Sequence, residues 1–286
     1  MVRSLFFLIC TIILTSCDTV DFKGLFVPTG DSVDSRFEQS ISLNNNQAVA
    51  TIEAEDSYLF YVCTDPHIDD SYRNLRNFST LLRNDSTALF GVVLGDCIER
   101  RNAMPNYVEA IEYMQDIQTY NTPIFSLIGN HDLYFNGWED YYRLLGASVY
   151  WFEVKFSTGS DLFISLDSAN GTLGKRQLNW LREFLATNRN KYRHCVVLTH
   201  NNLFYTDNSQ TGSGNLPLEE TAVLTDLFSR HKVTACFQGH DHYREDLMFS
   251  GVRYTVIGTI RDDSASPEFL MVRMSNNGTD YQWVKL

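Results

Sequence analysis

Three features of the chain predict an α/β fold, a four-layer α/β/β/α sandwich of two mixed sheets flanked by helices. Short apolar runs of strand length recur at 58–63, 88–94, 123–128, 162–166, 195–198 and 233–237. Helix-like stretches at 107–119, 175–187 and 218–231 lie between several of them. Beyond Tyr243 the spacing changes to hairpin-like segments at 245–249, 252–257, 269–274 and 281–284, broken by Gly251 and by Asn277-Gly278.

Each helical stretch carries an apolar stripe, such as Leu178, Leu181 and Leu185, or Val223, Leu224, Leu227 and Phe228. A stripe at that spacing packs on one face of a sheet, so these residues are core. With 286 residues, 44% of them hydrophobic and 20% charged, the chain is long enough for one large domain, placed at 57–286. Residues 17–56 are polar and irregular, with Pro28, Gly30 and the turn-like Asn44-Asn45-Asn46, and read as a tether with room for one edge strand. Ahead of them Arg3, an apolar run at 5–14 and the small pair Thr15-Ser16 give residues 1–16 the form of a signal peptide. Leu14-Thr15-Ser16-Cys17 resembles a bacterial lipobox, which implies export and a lipid on Cys17 that anchors the protein in the bacterial envelope.

Charge narrows the function classes. Lys and Arg number 23 against 35 Asp and Glu, a net charge of −12, and the longest basic run noted is Arg100-Arg101. Such a surface repels polyanions, so nucleic acid is excluded as the main partner. Cys63, Cys97, Cys195 and Cys236 lack the paired spacing of a zinc module and read as small buried hydrophobes.

What marks the chain is how its strands end: Asp65-Pro66-His67, Gly95-Asp96, Gly129-Asn130-His131-Asp132, Thr199-His200 and Gly239-His240-Asp241-His242. The carboxyl ends of strands in an α/β sheet share one edge, where residues distant in sequence can converge. In an extended segment alternate residues point the same way, so Asp65 with His67, and His240 with His242, can each face one centre while Asp241 points elsewhere. Carboxylate, amide and imidazole donors together suit manganese, iron or zinc, and two ions about 3.5–4 Å apart need a carboxylate between them. Asp96, alone after its glycine, is the expected bridge.

In order and identity these endings resemble the calcineurin-like metallophosphoesterase pattern, D-x-H, G-D, G-N-H-[DE], a lone His and G-H-x-H, from Tyr58 to about Tyr254. That resemblance implies a dinuclear site for divalent or trivalent ions, with Asp65, His67, Asp96 and His242 on the first and Asp96, Asn130, His200 and His240 on the second. It further implies a metal-bridging hydroxide as nucleophile and His131 as the acid that protonates the leaving oxygen of a phosphomonoester or phosphodiester. The stretch Gly95-Asp96-Cys97-Ile98-Glu99-Arg100 is also similar to the G-D-x-x-D-R motif of serine/threonine protein phosphatases, which implies that Glu99 orients His131 and Arg100 grips phosphate. Glu stands where that motif has Asp, and the opening motif lacks its G-D-x-H-G form. The tyrosine that purple acid phosphatases carry after G-D is absent, so the tyrosine-to-iron bond has no donor, and Asn202 replaces the proline of the usual H-x-P.

The implied partner is a phosphorylated small molecule or envelope component. Tyr134, Phe135 and Trp138 stand near the third motif and are candidates to stack on a nucleoside or sugar, and 204–217 is a candidate rim loop. A second reading is a lipoprotein that keeps the metals and captures a phosphorylated ligand without cleaving it. His131 argues against that reading, because mere capture needs no leaving-group acid.

Overall fold

A computed structural model of the protein describes residues 32–100, 103–116, 121–204 and 215–286. The leader 1–16, Cys17, residues 18–31 of the tether and 205–214 of the candidate rim loop lie outside the described residues. In chain order, α1 (Val33–Asn44) and β1 (Thr51–Glu53) precede β2 (Tyr58–Cys63), α2 (Arg73–Asn84), β3 (Ala88–Val93), α3 (Met104–Gln115) and β4 (Ile124–Ser126). There follow α4 (Gly137–Leu144), β5 (Tyr150–Phe156), β6 (Gly159–Ser165), α5 (Gly174–Asn188), β7 (Cys195–Leu198), α6 (Leu218–Arg230) and β8 (Ala235–Gln238). Two hairpins complete the chain, β9 (Glu245–Phe249) with β10 (Val252–Val256), and β11 (Glu268–Ser275) with β12 (Gly278–Lys285).

One sheet runs β1-β5-β6-β7-β8-β10-β9 and the other β12-β11-β2-β3-β4, both mixing parallel and antiparallel pairs. Their inner faces meet in an aromatic core: Phe60 stacks on Phe90 at 4.9 Å and meets Phe163 of the opposite sheet edge-on at 5.3 Å. The outer face of the five-stranded sheet is covered by Leu75, Phe78 and Leu82 of α2 with Tyr107 and Ile111 of α3. Leu181 and Leu185 of α5 and Leu224 and Phe228 of α6 cover the other sheet. The four layers are those the alternating pattern predicts. The four cysteines are free and buried, and among the described residues no helix is long and apolar enough to cross a membrane.

Residues 32–56 differ from the expected tether. Ser32 caps α1 by accepting from the Ser35 N–H at 3.2 Å, and Asn45 closes it in the left-handed conformation (φ 52°), so the asparagine run is a helix terminus rather than a free turn. Arg36, fully buried, forks onto Asp167 with both contacts at 2.8 Å, and β1 pairs in parallel with β5 at the sheet edge. The polar composition that suggested a linker thus hides a helix docked through a charge. Strand β5 and helices α2 and α4 also go unforecast. Tyr72 gives α2 no side-chain cap; Asp262, far along the chain, accepts from its Arg73 and Asn74 N–H groups at 2.8 and 2.7 Å instead.

Candidate metal centre

Strands β2, β3 and β4 are mutually parallel, as are β7 and β8, so the segments after them leave the two sheets on a common edge. There two clusters gather the candidate donors, Asp65, His67 and His242, and Asp96, His200 and His240, and a third group, His67, Glu99 and His131, adjoins the first through His67. In the first, His242 Nε2 lies 3.2 Å from Asp65 Oδ1 and 3.0 Å from His67 Nε2. In the second, His200 Nε2 lies 3.3 Å from Asp96 Oδ2, 3.3 Å from His240 Nδ1 and 3.2 Å from Asn130 Oδ1. Asp96 Oδ2 is also 3.7 Å from His67 Nε2, which sets this carboxylate between the clusters.

Seven distant side chains thus aim their donor atoms at one another. Donors about 2.0–2.2 Å from a tetrahedral ion stand roughly 3.3–3.6 Å apart, and the separations of 3.0–3.7 Å here bracket that spacing. His240 Nε2 is buried without a hydrogen-bond partner, a costly arrangement unless a ligand answers it. The mixed carboxylate, amide and imidazole set therefore fits a pair of metal ions.

Local conformation, not extended backbone, produces this convergence. Asp65, His67, Asp96, His240 and His242 all have positive φ, between 44° and 73°. The strands stop at Cys63 and Gln238, and left-handed kinks turn each donor toward the centre, at about 1–3 kcal/mol of strain each. Close backbone approach is bought by glycine: a Cβ on Gly129 would lie 2.2 Å from Asp96 Oδ1, and one on Gly239 2.0 Å from Thr64 Oγ1.

Supporting bonds aim the donors further. Asp132, the last residue of the Gly129 motif, accepts from the N–H groups of Cys97, Ile98 and Gly129 at 2.9, 3.2 and 2.8 Å, tying the end of β3 to that of β4. Asp96 Oδ1 accepts from the His131 N–H at 2.8 Å. Asn130 donates its Nδ2 to Tyr134 Oη at 3.2 Å, which leaves its amide oxygen toward His200. Asp241 does point elsewhere: its Oδ2 accepts from Asn202 Nδ2 at 2.7 Å, so the residue replacing the usual proline fixes the turn between the two histidines.

The buried carboxylates draw positive charge to this edge. Burial alone would lower His67 and His200, yet Asp65 and Glu99 push His67 up to about 10 and Asp96 pushes His200 up to about 9. Conversely, against the upward effect of burial, His242 and its neighbours hold Asp65 well below the usual carboxylate range. Burial and the nearby His200 bring His240 down to about 4. Burial also lowers His131, and together with Asp96 it raises Asp132 to about 7.

Glu99 and Arg100, the other two expected site residues, have surroundings of their own. The Glu99 carboxylate lies 2.7 Å from His67 Nδ1 and 3.8 Å from His131 Nδ1; it is the Glu99 backbone carbonyl that faces His131 Nδ1, at 3.2 Å. The longer glutamate reaches past His131 to His67. Arg100 shares a small cavity wall with His131 and Tyr134, but its guanidinium forks onto Asp69 at the surface. The guanidinium that does meet this carboxylate is Arg261, whose Nη1 lies 3.5 Å from Glu99 Oε2. No motif flagged Arg261, and a lone arginine on a loop before β11 gives the sequence no signal.

Tyr134 stands at the site, its ring 4.7 Å from that of His131, whereas Trp138 is buried against Tyr141 and donates to Gln39 at 3.1 Å. The side chain of Phe135 lies outside what is described. His194 bonds Thr234 and Ser275, and His231 follows the end of α6; neither is among the candidate donors.

Residues 58–244, which carry all of these donors, match the family model of the calcineurin-like phosphoesterases. The chain belongs to that family. A comparison with curated proteins finds no match. Among solved structures the phosphoesterase fold is shared with GAP50, the anchor in the inner membrane complex of Plasmodium, at 15% identity and a TM-score of 0.60, covering 81% of this chain and 85% of that one. A dimetal phosphatase from Danio rerio is similar at 17% identity and a TM-score of 0.59, covering 80% and 98%. So is a purple acid phosphatase from yellow lupin (Lupinus luteus) seeds, at 13% and 0.58, covering 81% of this chain but 52% of that one. At such identities the likeness is one of fold alone.

Proposed function

We propose that this protein hydrolyses phosphate esters with two metal ions held at the shared sheet edge. Family membership and the clustered donors support metal-dependent phosphoester hydrolysis, and the single observation that carries the reading is Asp96 standing between two sets of buried donors. Asp65, His67, Asp96 and His242 would hold one ion, and Asp96, Asn130, His200 and His240 the other. Bound there, such ions supply a nucleophile from water near neutral pH and neutralise charge on the phosphoryl group. They also overcome the repulsion between an acidic protein and an anionic substrate, because local field outweighs net charge.

The chain's own groups do the rest. His131, fixed through its N–H on Asp96 and its ring on the Glu99 carbonyl, is placed to give a proton to the leaving oxygen. Glu99 steadies the His67 ring from its far side, the usual arrangement behind a metal-binding imidazole. The test is to strip the protein of metal, add back manganese, zinc or iron, and assay paired aryl phosphate mono- and diesters. Turnover restored by metal supports the reading; stoichiometric binding with no turnover on any metal favours the capturing lipoprotein. His131→Ala should keep both metals and lose about 10²–10⁴-fold in turnover. Unchanged turnover removes His131 from the mechanism.

We further place the activity outside the cytoplasm, on a membrane held through Cys17, on the strength of the leader pattern alone. A radioactive fatty acid should label the native protein and not Cys17→Ala; equal labelling of both ends that proposal.

A further inference from the structure

The donor set treats phosphate monoesters and diesters alike, so any preference between them must come from groups beside it. Arg261 is such a group, and Thr259, Asp262 and Asp263 pin it there. Its backbone N–H donates to Thr259 Oγ1 at 3.0 Å, and the same hydroxyl donates to the carbonyl of Asp65 at 2.7 Å. Next in the chain, Asp262 supplies the missing cap of α2. Asp263 then holds the guanidinium from one side, at 3.0 Å from Nε and 3.2 Å from Nη2. Nη1 is turned the other way, to the Glu99 carboxylate that stands against His67 and near His131. The side chain is 29% exposed, so it is partly reachable from solvent.

We infer that Arg261 contacts the substrate phosphoryl group and selects phosphomonoesters over diesters, an inference that rests on the hydrolase reading above. A monoester at neutral pH carries close to two negative charges and three terminal oxygens. A diester carries one charge and two terminal oxygens, its third position being an uncharged ester oxygen. A guanidinium fixed beside the donor cage rewards that extra anionic oxygen with a charge-assisted hydrogen bond from Nη1, the nitrogen that Asp263 leaves over. Arg100 forks onto Asp69 through the same two nitrogens, but its ion pair is with Asp69 rather than with the Glu99 that stands against His67. The 3.5 Å contact with Glu99 is loose enough to yield to a phosphate oxygen while Glu99 keeps His67.

The experiment pairs two readouts on the metal-loaded protein, kcat/KM for matched aryl mono- and diesters and calorimetric binding of inorganic phosphate. Arg261→Gln should lower monoester kcat/KM and weaken phosphate binding by about tenfold or more, with diester kcat/KM falling less than about threefold, as expected for one lost charge-assisted contact. Arg261→Lys, which keeps the charge without the fork, should recover part of both losses. Equal loss on the two esters, or phosphate binding unchanged in Arg261→Gln, overturns the inference, since a residue that only holds the loop would give one or the other. If the native protein hydrolyses neither ester, the hydrolase reading fails by itself, and phosphate binding still decides whether Arg261 contacts the anion. Absence of phosphate binding to the native protein overturns the inference as well.

Discussion

Two of the buried charged constellations among the described residues are built on opposite plans. Around Arg36 and Asp167 every charge is answered: the fork takes both carboxylate oxygens, and Ser148 Oγ and the Ala169 N–H complete the acceptor. Around Asp65 and Asp96 the imidazoles crowd one another at 3.0–3.3 Å and His240 Nε2 has no partner. The first is closed and pays for its desolvation internally. The second is complete only with added cations. Burial of charge alone does not mark a functional site; unanswered donors that converge do.

That contrast can be broken at each side, and the largest effect is expected at the open constellation. Asp96→Asn should cost both metals and about three orders of magnitude in turnover, roughly 4 kcal/mol, and should abolish the rise in melting temperature that metal gives the native protein. Retention of two ions per chain by that variant, measured by elemental analysis, would take Asp96 out of the bridging position. At the closed constellation, Arg36→Met should leave metal content intact but lower stability by about 3–5 kcal/mol, because Asp167 would be left buried and unpaired. The double change Arg36→Met with Asp167→Leu should recover most of that loss in urea unfolding; failure to recover would mean the helix is held by something other than the ion pair. The smallest effect belongs to Arg100 and Asp69, a similar fork with the arginine half exposed. Arg100→Gln should change stability by less than about 1 kcal/mol, and a larger loss would show that this surface pair is part of the fold's support.

Much of the architecture could be read from the chain alone. The boundaries of β2, β7 and β9 match the apolar or hairpin-like runs that predict them, and α3, α5 and α6 overlap their amphipathic stretches. Elements supported from elsewhere were not legible. Helix α2 borrows its cap from Asp262, and α1 is docked through an arginine whose polar character reads as solvent-facing.

At the site, the order and identity of the strand endings named the donors, because the chemistry of coordination restricts the residue types and the fold restricts where they stand. Sequence alone determined the family, the alternating layers and the candidate donor set. Only the tertiary structure decided how those donors meet, through left-handed kinks at five of them rather than extended backbone, and which neighbours serve them, Glu99 on His67 and Arg261 on Glu99. The reason is range. Periodicity and motif spacing report interactions a few residues apart, whereas the contact between Arg261 and Glu99 spans 162 positions and exists only once the chain has folded.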